Sequence, residues 1–440
     1  MKLKLGEKVV VTQGVTMEEN DWGRYQFPKI YCDGKRLAAN VHLGMDDWAD
    51  LDEKNKKWFV SDDKGKSWCK ATGNVSDIGM VTAENGDRIY VCEVAGIDLY
   101  NMKQQYKTLG DILPSFKKEK AKPGHLPCLA GEYTQAIYPL RFQIYDFDLL
   151  PDELQALKFF TIDRIKKGES EIKTEKASID YPHMPFSVMK VDIEKKATTL
   201  GVSAIGGNVR KAPDGTLWMV RVSGDGDLIG KDAAYTRYAS MCLLVSEDSG
   251  RSWKFRSKVP YIPDINENPY AYVEGGYVEA DFEFAEDGSA VMLMRVNNTC
   301  AGGRHWSPMY ITHSHDNGYT WDKPIRFADA GVYPRMCKLG NGTIIAIYGR
   351  PGIYVRATRD IHAVEWDEPV EIMTPNDRSA LKNEKVKTPT FHQWVGSCCN
   401  CYIAAVDDNT AIIIYSDFYY PDENGVKRKT IITQTVTVEE

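Results

Sequence analysis

One glutamate, a short acidic loop and a set of arginines carry the chemistry open to this 440-residue chain. Glu279 stands in Tyr277-Val-Glu279-Ala-Asp281 and opens an apolar strand. A carboxylate there is costly without a partner, so the residue requires one. Asp46, Asp47 and Asp50 follow another apolar run, in His42-Leu-Gly-Met-Asp46-Asp47-Trp-Ala-Asp50. Two carboxyl groups facing one bond supply the acid and base of glycoside cleavage. A separation of about 6.5–9.5 Å gives inversion and one near 5–5.5 Å gives retention. Arg210, Arg295, Arg335 and Arg350 offer planar forks that hold a carboxylate or sulfate through two bonds. Arg210 and Arg335 could equally pair with acidic residues of neighbouring strands. His42, His392 and Tyr277 are further groups able to move a proton.

Turns and strands must position these residues. Six times an apolar strand meets a tight turn and returns as another apolar strand. The turns centre on Asp33-Gly34, Asn85-Gly86, Asp214-Gly215, Asp287-Gly288, Asn341-Gly342 and Asp408-Asn409. Such dipeptides between strand-like runs are the strongest short-range hairpin signal. Each hairpin leads into a second strand pair. Three of these close with Ser-x-Asp-x-Gly-x-Ser/Thr-Trp, at Ser61–Trp68, Ser246–Trp253 and Ser314–Trp321. Ser and Asp can cap backbone N–H groups there, and Gly can supply a positive φ. A fourth copy, Thr358-Arg-Asp360…Trp366, lacks the Gly.

Six hairpin units with their strand pairs predict an all-β chain: a six-bladed β-propeller of four-stranded antiparallel blades, a single domain over 1–440. The strands Lys8–Thr12 and Thr430–Thr437 are expected to share a blade and close the ring. The interval between Gly86 and Gly215 is about twice the others, so an insertion or long loops should occupy about 100–198, within the second blade. That stretch holds the basic run Lys117–Lys122, read as a solvated loop, and a helix expected over Pro151–Phe160.

Blade phase selects a face. If the Asp-Gly turns are the bottom, the eight-residue repeats are at the bottom too. The residues before each first strand and after each second strand then meet at the top, by the central channel. Read off in this way, the top carries Arg24-Tyr25-Gln26, His42, Arg210, Tyr277, Glu279, Arg295, Tyr333-Pro-Arg335, Arg350 and Asn400-Cys-Tyr402. Loops without a task run to Gly, Ser, Asn and Pro; this face is rich in Arg, Glu, Asp and Tyr.

On these residues the chain resembles the sialidase (neuraminidase) superfamily of Asp-box, or BNR-repeat, β-propellers, as a divergent member. The eight-residue repeat is similar to the Asp box. The likeness runs through Tyr25–Trp68 and from about Gly206 onward, and leaves out the insertion. It implies that Glu279 activates a nucleophilic tyrosine and that Arg295 and Arg350 belong to a triad gripping a substrate carboxylate. It also implies an aspartate acid/base among Asp46, Asp47 and Asp50. Two positions depart from the pattern. Where the family has aromatic-Arg-Ile-Pro the chain reads Tyr25-Gln26-Phe27-Pro28, so Gln26 replaces an arginine, with Arg24 two residues away. The family's nucleophilic tyrosine falls near Asn400, with Tyr402 close by.

Composition narrows the partners. A net charge of −7 argues against a general nucleic-acid binder, which needs a basic face. It leaves room for an anionic small substrate, because a few arginines reverse the field inside a pocket. No stretch approaches the roughly 18 apolar residues of a membrane span. With a native start the protein is expected in the cytoplasm; with a signal peptide removed it would be secreted or periplasmic. Cys398, Cys399 and Cys401 lack zinc spacing and read as buried thiols. His313-x-His315 reads as turn packing, and no metal or other cofactor is expected. The partner is a glycan or oligosaccharide, and the oligomeric state is open. The reading is a glycoside hydrolase removing a terminal, acidic sugar. A polysaccharide lyase using His42, Tyr277 or His392 as base, and a propeller that binds glycans without cleaving them, are the alternatives.

Overall fold

Apolar runs broken by Asp-Gly and Asn-Gly turns fold as consecutive antiparallel sheets. The structure is a computed structural model. It describes all residues except 21–23, 44–55, 74, 93–96, 99–128, 135–140, 146–154, 156–157, 181–184, 193–196, 202–207, 224–237, 297–306, 351, 374–396, 398 and 440. Three sheets have four strands in chain order. One runs Gln26–Cys32, Leu37–His42, Lys56–Ser61 and Cys69–Lys70. The next runs Tyr277–Phe284, Ala290–Val296, Met309–Ser314 and Ile325–Ala328. The third runs Val332–Lys338, Ile344–Gly349, Ile353–Thr358 and Val370–Met373.

An eight-stranded sheet joins two such units edge to edge. Val81–Thr82, Arg88–Val91, Phe159–Ile165 and Lys173–Asp180 form one half. Arg210–Lys211, Leu217–Ser223, Ser240–Ser246 and Ser252–Val259 form the other. The last strands of the halves pair in parallel, from Ser178 opposite Ser252 to Asp180 opposite Lys254. Arg164, 1% exposed, reinforces this seam, reaching Asp87 at 3.0 Å, Glu175 at 2.8 Å and the Ser249 carbonyl at 3.0 Å.

A further sheet closes the chain on itself. Cys401–Ala405 and Thr410–Pro421 lead to Lys427–Glu439, which pairs with both Lys2–Leu5 and Val9–Gln13. The expected meeting of the two chain ends in one sheet is observed. Of the stretch 100–198, Phe159–Ile165 and Lys173–Asp180 belong to the eight-stranded sheet, while Leu129–Thr134, Arg141–Tyr145, Pro185–Asp192 and Ala197–Gly201 form a separate sheet with Ile97–Asp98. The helix expected over Pro151–Phe160 needs correction at its end. Phe159 and Phe160 open a strand in which Phe160, Ile162 and Arg164 alternate inward, so period two wins over period 3.6. Most of the rest of that segment, and Lys117–Lys122, lies outside the described residues.

The eight-residue repeats form one kind of turn. Ser61 Oγ donates to Asp63 at 2.7 Å and accepts from Gly65 N at 2.9 Å, and Asp63 takes the Ser67 amide at 2.9 Å and hydroxyl at 2.6 Å. The bonds recur around Asp248 and Asp316. Gly318 shows why glycine stands there: its φ is +80°, and a Cβ would collide with Leu243 and Trp218 of the preceding unit. The degenerate copy uses Ala363 at φ +54° instead, with Asp360 capping Val364 and Glu365.

The first strands of successive units surround a central cavity of about 430 Å³. Tyr31, Arg210, Glu283, Cys337 and Tyr402 are among its lining residues. Apolar clusters fill the wedges between neighbouring sheets; one packs Trp218, Leu243 and Val245 against Phe282, Phe284 and Met292.

Candidate functional site

At the entrance to several first strands the backbone leaves regular β geometry. Phe27, Glu279, Tyr333 and Cys399 adopt φ values of +50°, +47°, +51° and +57°. The ladders slip at three of these places: between Gln26 and Lys29, Val278 and Ala280, and Val332 and Arg335. Left-handed φ in non-glycine residues costs roughly 1–3 kcal/mol each and persists only where the surroundings impose it. Four such residues at one level of the fold mark the mouth of the channel as a strained rim.

The bulge at Glu279 decides which side chains reach this rim. In a regular strand Tyr277 and Glu279 share a face. Here Tyr277 joins Ala280 and Phe282 in the wedge core instead, with ring centroids 5.0 Å from Tyr261 and 5.9 Å from Tyr310. Burial pushes its hydroxyl well above the usual range. Glu279 is thereby released toward Arg295, whose Nη1 lies 2.7 Å from Oε2. The Tyr333 amide donates to the same oxygen at 3.0 Å.

Arg295, Arg335 and Arg350 all act on this carboxylate. Burial alone would raise the Glu279 pKa. Arg295, with Arg350 and Arg335 behind it, outweighs burial and holds the group below the ordinary glutamate value. Arg335 and Arg350 are each 4% exposed. Arg350 follows the strand Ile344–Gly349 at φ +53°. Arg335 Nη1 donates to the carbonyls of Pro334 at 2.9 Å and Ala280 at 3.3 Å. Its guanidinium lies 3.9 Å from the Tyr333 ring centroid and 5.2 Å from that of Tyr402. Arg295 Nε and Arg335 Nε are buried without a hydrogen-bond partner among the described residues. Three guanidinium groups and one carboxylate thus share one small region, which suits an anionic ligand.

Other residues expected at the site have different surroundings or lie outside the described residues. Arg210 bonds Asp281 at 3.0 Å, the Met336 carbonyl at 2.7 Å and the Phe282 carbonyl. Asp281 is fully buried and also takes the Met336 amide at 2.9 Å, so this pair ties three strands beneath the rim. The Tyr402 hydroxyl bonds Asn208 Oδ1 in the central cavity, and burial, opposed by Arg335, pushes it up to about 12. Arg24 pairs with Glu18 at 3.0 Å and reaches the Leu43 carbonyl at 3.3 Å. Gln26 stands opposite His42 in the ladder, and both are buried. Neither amide atom of Gln26 has a hydrogen-bond partner among the described residues. Asp46, Asp47, Asp50 and His392 lie outside the described residues.

Sequence reasoning placed Tyr333 on this face but gave it no role. It stands at the opening of a first strand as Glu279 does, and that shared position was the available signal.

No protein-family model and no curated protein matches the chain. Among solved structures it is similar to a protein of unknown function from Dyadobacter fermentans. The TM-score is 0.57 at 14% identity, over 99% of each chain. A mutant NanB sialidase from Streptococcus pneumoniae gives 0.48 at 12% identity, over 97% of this chain and 70% of that one. An alpha-L-arabinanase from Penicillium chrysogenum complexed with arabinobiose gives 0.44 at 11% identity, over 98% of each. At these identities the first likeness speaks to the fold alone, and the two weaker superpositions carry no argument about activity.

Proposed function

We propose that the rim cluster binds the acidic terminal sugar of a glycan and hydrolyses its glycosidic bond. The observation that carries this reading is the gathering of Arg295, Arg335 and Arg350 around Glu279. The guanidinium groups take the acidic substituent. Glu279, ionised and oriented by Arg295 and the Tyr333 amide, serves as base or nucleophile, because a carboxyl held below its ordinary pKa does not retain a proton to donate. The acid then comes from Asp46, Asp47 or Asp50. The same reading takes the ring as six-bladed: three four-stranded sheets, the two halves of the eight-stranded sheet and the closing sheet.

Glu279→Gln tests it, since the amide keeps shape and loses charge. Against chromogenic and natural acidic glycans, turnover should fall about 100-fold or more, while acidic-sugar binding persists. Unchanged turnover sinks the assignment. The closed Glu279–Arg295 pair also suits a pocket that binds without cleaving; saturable binding with no product across the panel would favour that reading. A lyase would release an unsaturated product absorbing in the ultraviolet, and the burial of Tyr277 counts against that residue as its base.

A further inference from the structure

Tyr333 touches both the carboxylate and a cation of the rim cluster. It is half-buried and sits in the irregular pairing between Val332 and Arg335, at φ +51°. The left-handed turn takes its amide out of the ladder and points it at Glu279 Oε2, 3.0 Å away. The same residue lays its ring against the Arg335 guanidinium at 3.9 Å. Among the described residues, the Tyr333 hydroxyl and the Asp281 charge also act on that guanidinium. Two carbonyls take Nη1, and Tyr402 flanks it at 5.2 Å. The nearby carboxylate of Asp281 is occupied by Arg210 and the Met336 amide. A desolvated guanidinium on an aromatic face gains substantially from the contact.

We propose that Tyr333 is a positioning residue. Its ring holds the cation that receives the acidic group, and its amide holds the carboxylate that faces the bond to be cut. One backbone conformation therefore sets the spacing between the two functions. The functional part of this inference rests on the acidic-sugar reading; the positioning part does not.

Tyr333→Leu and Tyr333→Phe in the full chain separate the possibilities. In a ligand-free crystal structure of Tyr333→Leu, Arg335 should leave its place while the Glu279–Arg295 pair stays. The Glu279 carboxyl, followed by carbon-13 NMR, should stay below its ordinary value because Arg295 remains, with only the small rise that loss of the Arg335 charge brings. Calorimetry with glucuronic acid, N-acetylneuraminic acid and sulfate should show affinity falling about tenfold in Tyr333→Leu. It should stay within about twofold in Tyr333→Phe, which keeps the aromatic face. Arg335 unmoved in Tyr333→Leu overturns the proposal. So does an equal loss of binding in both variants, which would place the effect in the hydroxyl, on Arg335 or on the ligand, rather than in the aromatic face. If the wild type binds none of the probes, the acidic-sugar reading falls, and the crystal structure still decides the role of Tyr333.

Discussion

Glu279 keeps its charge because Arg295 stands 2.7 Å away, and that pair can be tested by titration. The carboxyl lies below its ordinary value when folded. The stability from this pairing is therefore fully present above the unfolded glutamate pKa and lost as pH falls through the lower folded value. Arg295→Met removes the main attraction and leaves the burial. The Glu279 pKa should then rise, and the acid limb of any activity should move to higher pH; carbon-13 titration of the carboxyl reads this directly. A limb that does not move would assign the depression to Arg335 and Arg350. The sequence showed that Glu279, opening an apolar strand, needs a partner, and placed Arg295 on the same face; the pairing itself is read from the structure. Tyr333 was placed on the same face but its role was not legible, because its contribution comes from a backbone amide and an aromatic face rather than from a charge.

Strands and turns divide along a similar line. Hairpin turns and eight-residue repeats are local, set by Asp, Asn, Gly and Ser within a few residues, and they read directly from the chain. The first-strand bulges do not. Tyr277 and Glu279 have the spacing of one face, and only the slipped register sends one into the core and the other to the rim. The turn glycines add a tertiary demand to the local one. Gly318→Ala would meet both a φ of +80° and the side chains of Leu243 and Trp218. The loss should be about 2 kcal/mol or more in urea unfolding. A near-neutral effect would show that the preceding sheet yields at this contact.

Across the whole molecule, sheets are joined by a small number of specific ties. Chain ends meet on Lys427–Glu439, and the parallel pairing of Lys173–Asp180 with Ser252–Val259 fuses two units into one sheet. Arg164 lies inside that seam between Asp87 and Glu175. Arg164→Met should cost about 3 kcal/mol, since it leaves Asp87 buried without its nearest cation. Unchanged urea unfolding would place the strength of the seam in its backbone bonds. The sequence carried the period of the hairpins, the phase of each unit and the end at which Glu279, Arg295, Arg335 and Arg350 gather, because those follow from local turn chemistry and strand direction. Tertiary structure alone decided that Tyr277 turns inward, that Arg210 is taken up by Asp281, that Tyr402 faces the channel and that Tyr333 stands between carboxylate and cation. Bulges, left-handed residues and cross-sheet bonds govern those outcomes, and each depends on contacts between segments far apart in the chain.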